Sequence, residues 1–211
     1  RRACGGTGAG ERCGRPCARV PFPTSHNAMG TAQDGFINAN HGLDTIRQLD
    51  RGIRGLQLDA YLGQRNRDGV VRTDLAPKAV DIVEAKLGSE GLAAVQRLAG
   101  SVAFGPIEGE KQLYFCHIVC ELGAVEGVPF LRGIRDWMDR NPNEVLSMMI
   151  EDAAPTADIK RGFEDAGLAA YASDFQWAPG KRFPTLGEMI GSGQRLWVAA
   201  EEFGEAGTWY H

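Results

Sequence analysis

Val20-Pro21-Phe22-Pro23-Thr24-Ser25-His26-Asn27 is a short apolar run with β character that ends in two side chains able to handle protons or metals. The Gly30 to Gly42 segment that follows has little regular periodicity, so a strand hands over here to a loop of the kind that carries sites. Two later strands end in the same way: Gly55-Leu56-Gln57-Leu58-Asp59 in a carboxylate, and Leu113-Tyr114-Phe115-Cys116-His117 in an imidazole. A fourth, Val145 to Ile150, runs into Glu151-Asp152. Polar chemistry at the C-terminal ends of successive apolar strands, with helices between them, predicts a parallel α/β arrangement with its site at one face of the sheet or barrel.

Working outward from these strands, the spacing predicts a short helix from His41 to Asp50, ended near Gly52. Gly63 to Gly69 reads as a charged surface turn, and Asp74 to Leu98 as two helices broken at Gly88-Ser89-Glu90-Gly91, with Pro77 in the first turn of the earlier one. A loop at Gly105 to Glu110 completes an excursion over 63–110. Phe130, Leu131, Ile134, Trp137 and Met138 share one face of a crossover helix over Pro129 to Arg140, which stops at Asn141-Pro142. Further helices are expected at Thr156 to Ala166 and from a Thr185 cap, with Glu188 three residues on, to Ile190. Leu168 to Tyr171 is a weak fifth strand and Arg195 to Ala200 a sixth, and six strands do not close an eight-stranded barrel.

The 211 residues, 43% of them hydrophobic, are enough to bury the core of one domain. A net charge of -4 gives no reason to expect a nucleic-acid partner, and no apolar run approaches the roughly 20 residues that cross a bilayer. The five cysteines lack zinc-ribbon spacing. Two local disulfides, Cys4 with Cys13 and Cys116 with Cys120, would tether an N-terminal segment over residues 1–18, leave Cys17 over and place the chain in a secreted or extracytoplasmic setting; buried free thiols are the alternative.

His26 and His117 stand at the tips of expected strands, whereas His41 opens a helix and His211 ends the chain. Two histidines on opposite sides of a phosphodiester can divide the labour, one taking a proton from the attacking hydroxyl and the other giving one to the leaving oxygen. Asn27, Asp59 and Glu151 offer oxygens that suit a hard cation such as calcium, or equally hydrogen bonds that orient the histidines. Arg54 reads as structural or as a phosphate contact, and Phe175, Trp177 and Phe183 as core or as loop tips for peripheral membrane contact.

Pro23 to Ala28, Gly52 to Asp59, Phe115-Cys116-His117 and Ile150-Glu151-Asp152 together resemble the strand-end motifs of the phosphatidylinositol-specific phospholipase C X-domain superfamily, closest to its secreted bacterial and fungal members. Asn141 to Val145 and Pro184 to Ile190 extend the likeness over roughly 13–211. The resemblance implies a distorted (β/α)8 TIM barrel over 19–211, lacking here the strands that would close it beyond His211. It also implies cleavage of a phosphoinositide or related lipid through a cyclic phosphate, with His26 as general base and His117 as general acid. In the calcium-dependent branch Asn27, Asp59 and Glu151 match metal ligands, and a further acidic ligand is replaced by Gln57. A glycerophosphodiester or sphingomyelin phosphodiesterase, or a catalytically silent lipid-binding module, are the alternatives.

Overall fold

A computed structural model of the chain describes residues 13–73, 77–102 and 109–211. The elements in order are β1 (Thr24–Ser25), α1 (Thr45–Asp50), β2 (Gly55–Arg65), β3 (Val71–Thr73), α2 (Pro77–Val102), β4 (Gln112–Phe115), β5 (Val125–Glu126), α3 (Gly127–Arg140), β6 (Leu146–Asp152), α4 (Thr156–Asp165), α5 (Leu186–Ser192) and β7 (Leu196–Ala200). The seven strands form one mixed sheet, ordered β5-β4-β2-β6-β7, with β1 and β3 also paired to β2. Pairs β1/β2, β2/β6 and β6/β7 are parallel, while β3 and β4 run antiparallel to β2.

The sheet is therefore open rather than a closed barrel, and it is not all-parallel. The cause is the length of β2, which continues for six residues beyond Asp59. Its upper half offers a free edge to a strand that arrives from above, and β4 enters with Gln112 opposite Gly63 and runs back until Phe115 faces Ala60. An antiparallel return of this kind needs no crossover helix.

Alternation along the strands separates two faces. Leu56, Leu58, Ala60, Leu146, Met148, Ile150, Leu196 and Val198 pack in the main core with Leu131, Ile134, Trp137 and Met138 of α3 and Ile159 and Phe163 of α4. Gln57, Asp59 and Tyr61 of β2 alternate with that set and face the other way, as do Met149 and Glu151 of β6, and Met149 is 53% exposed.

Several local expectations are met. Thr185 accepts from the Glu188 amide and Glu188 reaches back to the Thr185 amide, closing the capping box of α5. The break in the long helix falls at Gly88, which has φ 70° and ψ 175°. Others are corrected. The helix expected from His41 begins only at Thr45, where the Asp44 side chain caps it by accepting from the Arg47 amide. The expected fifth strand is a 3-10 turn, Ala169–Tyr171. The first strand shrinks to Thr24–Ser25 because Pro21 and Pro23 have no N–H to donate to a ladder. The 63–110 segment holds the end of β2, the β2/β3 hairpin and α2, and part of its expected loop lies outside the described residues.

Arg54 sits at the foot of β2, 6% exposed. Its Nε donates to Glu144 Oε2 at 2.8 Å, its Nη1 donates to the Leu49 and Ile53 carbonyls, and its guanidinium lies 5.0 Å from the Trp137 ring centroid. Glu144→Ala strands this cation without its partner, and urea denaturation should show a loss of about 3–5 kcal/mol. A loss below about 1 kcal/mol would mean that the main-chain carbonyls and Trp137 carry the charge without Glu144.

Candidate functional site

The site is built around the middle of β2. The sequence places Asp59 at a strand tip, but β2 runs on to Arg65 and Asp59 lies inside it; it pairs in register with Glu151 on β6, so the two strands bring their carboxylates side by side. On the opposite edge of β2 lie β1, at Gly55 and Leu56, and β4, at Ala60 to Gly63; both must share that edge because β6 occupies the other from Gly55 to Ala60. The loops after β1 and β4, which carry His26 and His117, therefore arrive at the same side of the strand.

Their anchoring is specific. The Asn27 amide donates to Gln57 Oε1 at 2.8 Å and the Ala28 amide to the Gln57 carbonyl at 2.9 Å. The Cys116 amide donates to the Asp59 carbonyl at 3.2 Å. The two loops also touch each other: the Ile37 amide donates to the Leu122 carbonyl at 2.9 Å, and a Cβ at Gly123 would come within 2.6 Å of Phe36. Gly123 has φ 150° and no room for a side chain, so this close approach depends on glycine.

Among the described residues, two that are not glycine have positive φ: Asn27 at 50° and Ile118 at 58°. Each directly follows one of the two histidines. Left-handed backbone is tolerable for asparagine but strained for a β-branched side chain such as isoleucine, and it persists only where the surroundings hold it. Ile118 lies between Cys116 and Cys120, which form a disulfide with Cα atoms 5.1 Å apart. Cys13 is also disulfide-bonded, Cys17 is a free buried thiol, and Cys4, the partner expected for Cys13, lies outside the described residues.

His26 and His117 are exposed, while Asn27 and Asp59 are buried and Glu151 is half-buried. Asn27 is 1% exposed and Asp59 0%. Both side-chain heteroatoms of Asn27, and Oδ2 of Asp59, are buried without a hydrogen-bond partner. Burial first, then the neighbouring Glu151 carboxylate, pushes Asp59 up to about 8, against a lowering hydrogen bond from Gln57 and a further raising effect of Glu201. Burial, followed by Asp59 and Glu151, also pushes the Tyr61 hydroxyl above its usual range. Among the described residues, no three His, Cys, Asp or Glu side chains are gathered closely enough to hold a metal ion.

Gln57 occupies the centre of this arrangement. Because Oε1 accepts from the Asn27 amide, its NH2 group must face Asp59, and Nε2 donates to Asp59 Oδ1 at 2.9 Å. Asp152, by contrast, turns away and accepts from the Glu202 and Phe203 amides. Arg54 is four residues before Leu58 at the other end of the strand, engaged with Glu144. Of the aromatic loop residues, Trp177 is 62% exposed, whereas Phe175 and Phe183 pack ring to ring at 5.2 Å.

His41 has a role that its sequence position does not announce. Its Nε2 lies 2.7 Å from the His26 carbonyl oxygen and donates to it, while its own amide and that of Asn40 donate to the Gly30 carbonyl. The Ala28 carbonyl accepts from Thr45 Oγ1 and Gln48 Nε2. The turn that presents His26 is thus held carbonyl by carbonyl. Only the polar character of His41, Thr45 and Gln48 beside an apolar helix face hinted at this.

Residues 102–206 match the family model described as PI-PLC X 1, a span that contains His117 and Glu151 but not His26, Asn27 or Asp59. Over 195 residues the chain is 26% identical to "PI-PLC X domain-containing protein 1" of the fungus Arthroderma benhamiae, covering 89% of this chain and 48% of that protein. It is 24% identical over 202 residues to an "Uncharacterized secreted protein" of the same fungus, covering 90% of this chain and 34% of the other. The chain thus spans about half or less of the length of these curated relatives. No solved structure matches. This chain is thus similar along most of its length to a protein named for a PI-PLC X domain, and its residues 102–206 match the PI-PLC X 1 model.

Proposed function

We propose that this chain is a phosphodiesterase of the phospholipase C type, acting on a phosphoinositide or related lipid diester. The observation that carries the reading is the delivery of two histidine loops, from separate strands, to one edge of β2 beside the buried Asp59. His26 takes the proton of a substrate hydroxyl adjacent to the phosphate, and that oxygen bonds to phosphorus. The bond from phosphorus to the diacylglycerol oxygen breaks, and His117 supplies the proton this leaving oxygen needs, so a five-membered cyclic phosphate and a neutral alcohol result.

Asn27, Asp59 and Glu151 fit a hard cation such as calcium. Buried amide and carboxylate oxygens without hydrogen-bond partners suit a group that takes only oxygen ligands. A cation held there would offset negative charge on the phosphoryl oxygens. Gln57 is not counted among its ligands, since its carbonyl is engaged by the Asn27 amide. The catalytic unit is taken as 19–211, with 63–110 as an insertion; most of the expected 1–18 segment lies outside the described residues. The Cys116–Cys120 disulfide favours an extracytoplasmic setting, and no helix among the described residues is long and apolar enough to cross a membrane.

The test is phosphorus NMR of the protein with phosphatidylinositol vesicles, in calcium and in chelator. A resonance of the cyclic diester, appearing with diacylglycerol, is the expected result. A folded protein that releases no soluble phosphate would sink the reading and leave a silent lipid-binding module. Equal rates in both conditions would remove the cation.

A further inference from the structure

The geometry points to His41 as a positioning residue for His26, its ring locking the plane of the His26–Asn27 peptide from the carbonyl side. The inference rests on the two-histidine reading given above. A peptide is planar, so holding both its carbonyl and its N–H fixes ψ of His26 and φ of Asn27 together. Both ends of this peptide are held. His41 Nε2 lies 2.7 Å from the His26 carbonyl oxygen, and the Asn27 amide donates to Gln57 Oε1 at 2.8 Å. A carbonyl oxygen only accepts, so the proton of the first bond sits on Nε2.

The lock has an uncommon conformation to hold. Asn27 has φ 50°, a left-handed backbone that is rare outside glycine. Turning the His26–Asn27 peptide over would relieve it, and would break both hydrogen bonds.

The locking ring is itself anchored. The His41 amide donates to the Gly30 carbonyl at 3.1 Å, and the His41 carbonyl accepts from the Ala32 amide at 2.9 Å. One half-buried residue therefore spans the turn, with its main chain on residues 30 and 32 and its ring on residue 26. The exposed His26 ring and the buried Asn27 side chain, a candidate cation ligand, both start from the peptide so fixed. The chemistry needs that precision, because a misplacement of about 1 Å can cost on the order of 100-fold in rate.

The experiment compares His41→Leu, which removes the donor, with His41→Gln, whose side-chain NH2 group can donate to the same carbonyl. Amide hydrogen exchange of Asn27 and Cys116 is read by NMR, and kcat and KM are read on phosphatidylinositol vesicles. His41→Leu should speed exchange at Asn27 by about 10-fold or more and leave Cys116, beside His117, unchanged. It should lower kcat by about 10- to 100-fold with KM within about 2-fold, and His41→Gln should bring exchange and kcat back to within about 3-fold of the wild type. In a His26→Ala background, His41→Leu should cost no further activity, since the lock acts through His26. Unchanged exchange at Asn27 overturns the lock, as does an unchanged kcat in a protein that turns over. Equal losses in the two variants, or a full additional loss in the His26→Ala background, overturn it too. If the wild type shows no turnover, the phosphodiesterase reading fails, and the exchange data alone decide whether the lock exists. If His41→Leu does not fold, nitrogen-15 NMR of the wild-type ring decides: a neutral His41 protonated at Nε2 is the expected result, and one protonated at Nδ1 overturns the bond.

Discussion

His26→Ala and His117→Ala are each expected to slow diester cleavage by about 1,000-fold, the middle of the range for a positioned general acid or base. Both imidazoles are exposed, so the loss should come without a change in melting temperature. The two variants should part company on a substrate whose leaving group is a nitrophenolate. That group departs without a proton, so His117→Ala should recover most of its rate while His26→Ala stays slow. The double variant should be little worse than the poorer single one, because the two groups serve one concerted displacement. If both single variants kept rates within a few-fold of the wild type, the histidines would be bystanders. If the nitrophenyl substrate rescued His26→Ala instead, the assignment of base and acid would be reversed.

Asp59→Asn is expected to remove activity by about 100-fold or more while making the metal-free protein more stable at alkaline pH. Asp59 is 0% exposed. Its carboxyl is raised from 3.8 to about 8, first by burial and then by Glu151. Between those two values the native state binds a proton that the unfolded chain does not. Stability is therefore fully present below pH about 4 and is lost as pH rises through about 8, with an effect on the order of 5 kcal/mol at the top of the window. Asparagine imitates the protonated acid, since its carbonyl can accept from Gln57 Nε2 and its NH2 group replaces the acid proton. In chelator, melting temperature should fall from pH 5 to pH 9 in the wild type and run nearly flat in the variant, with the curves diverging most above pH 8. Calcium should restore the wild type at high pH and do little for the variant. Parallel curves would show that the Asp59 proton does not govern the pH dependence.

The candidate residues could be read from the sequence because their positions follow local rules. Apolar runs lead into His26, Asp59, His117 and Glu151; His26 and His117 do lie just beyond β1 and β4, whereas Asp59 and Glu151 lie within β2 and β6, which run past them. The helices α3, α4 and α5 follow from periodicity and caps, which are properties of neighbours in the chain. The short strands β3 and β5 were invisible, because two or three residues acquire a strand's hydrogen bonds only from a partner distant in sequence.

The direction of β4 belongs to the same class. Sequence periodicity reports which side chains alternate, not which way a strand runs relative to its neighbour, and the overhang of β2 decided the antiparallel return. The contacts of Gln57 and His41 were likewise visible only in three dimensions. Each makes a hydrogen bond to main chain that is remote or loop-bound: Gln57 to Asn27 and His41 to His26. Main-chain groups are alike at every position, so no residue pattern could mark these partners in advance. Chain-local chemistry determined which residues were candidates, and the long strand β2 decided how the loops that carry them come together.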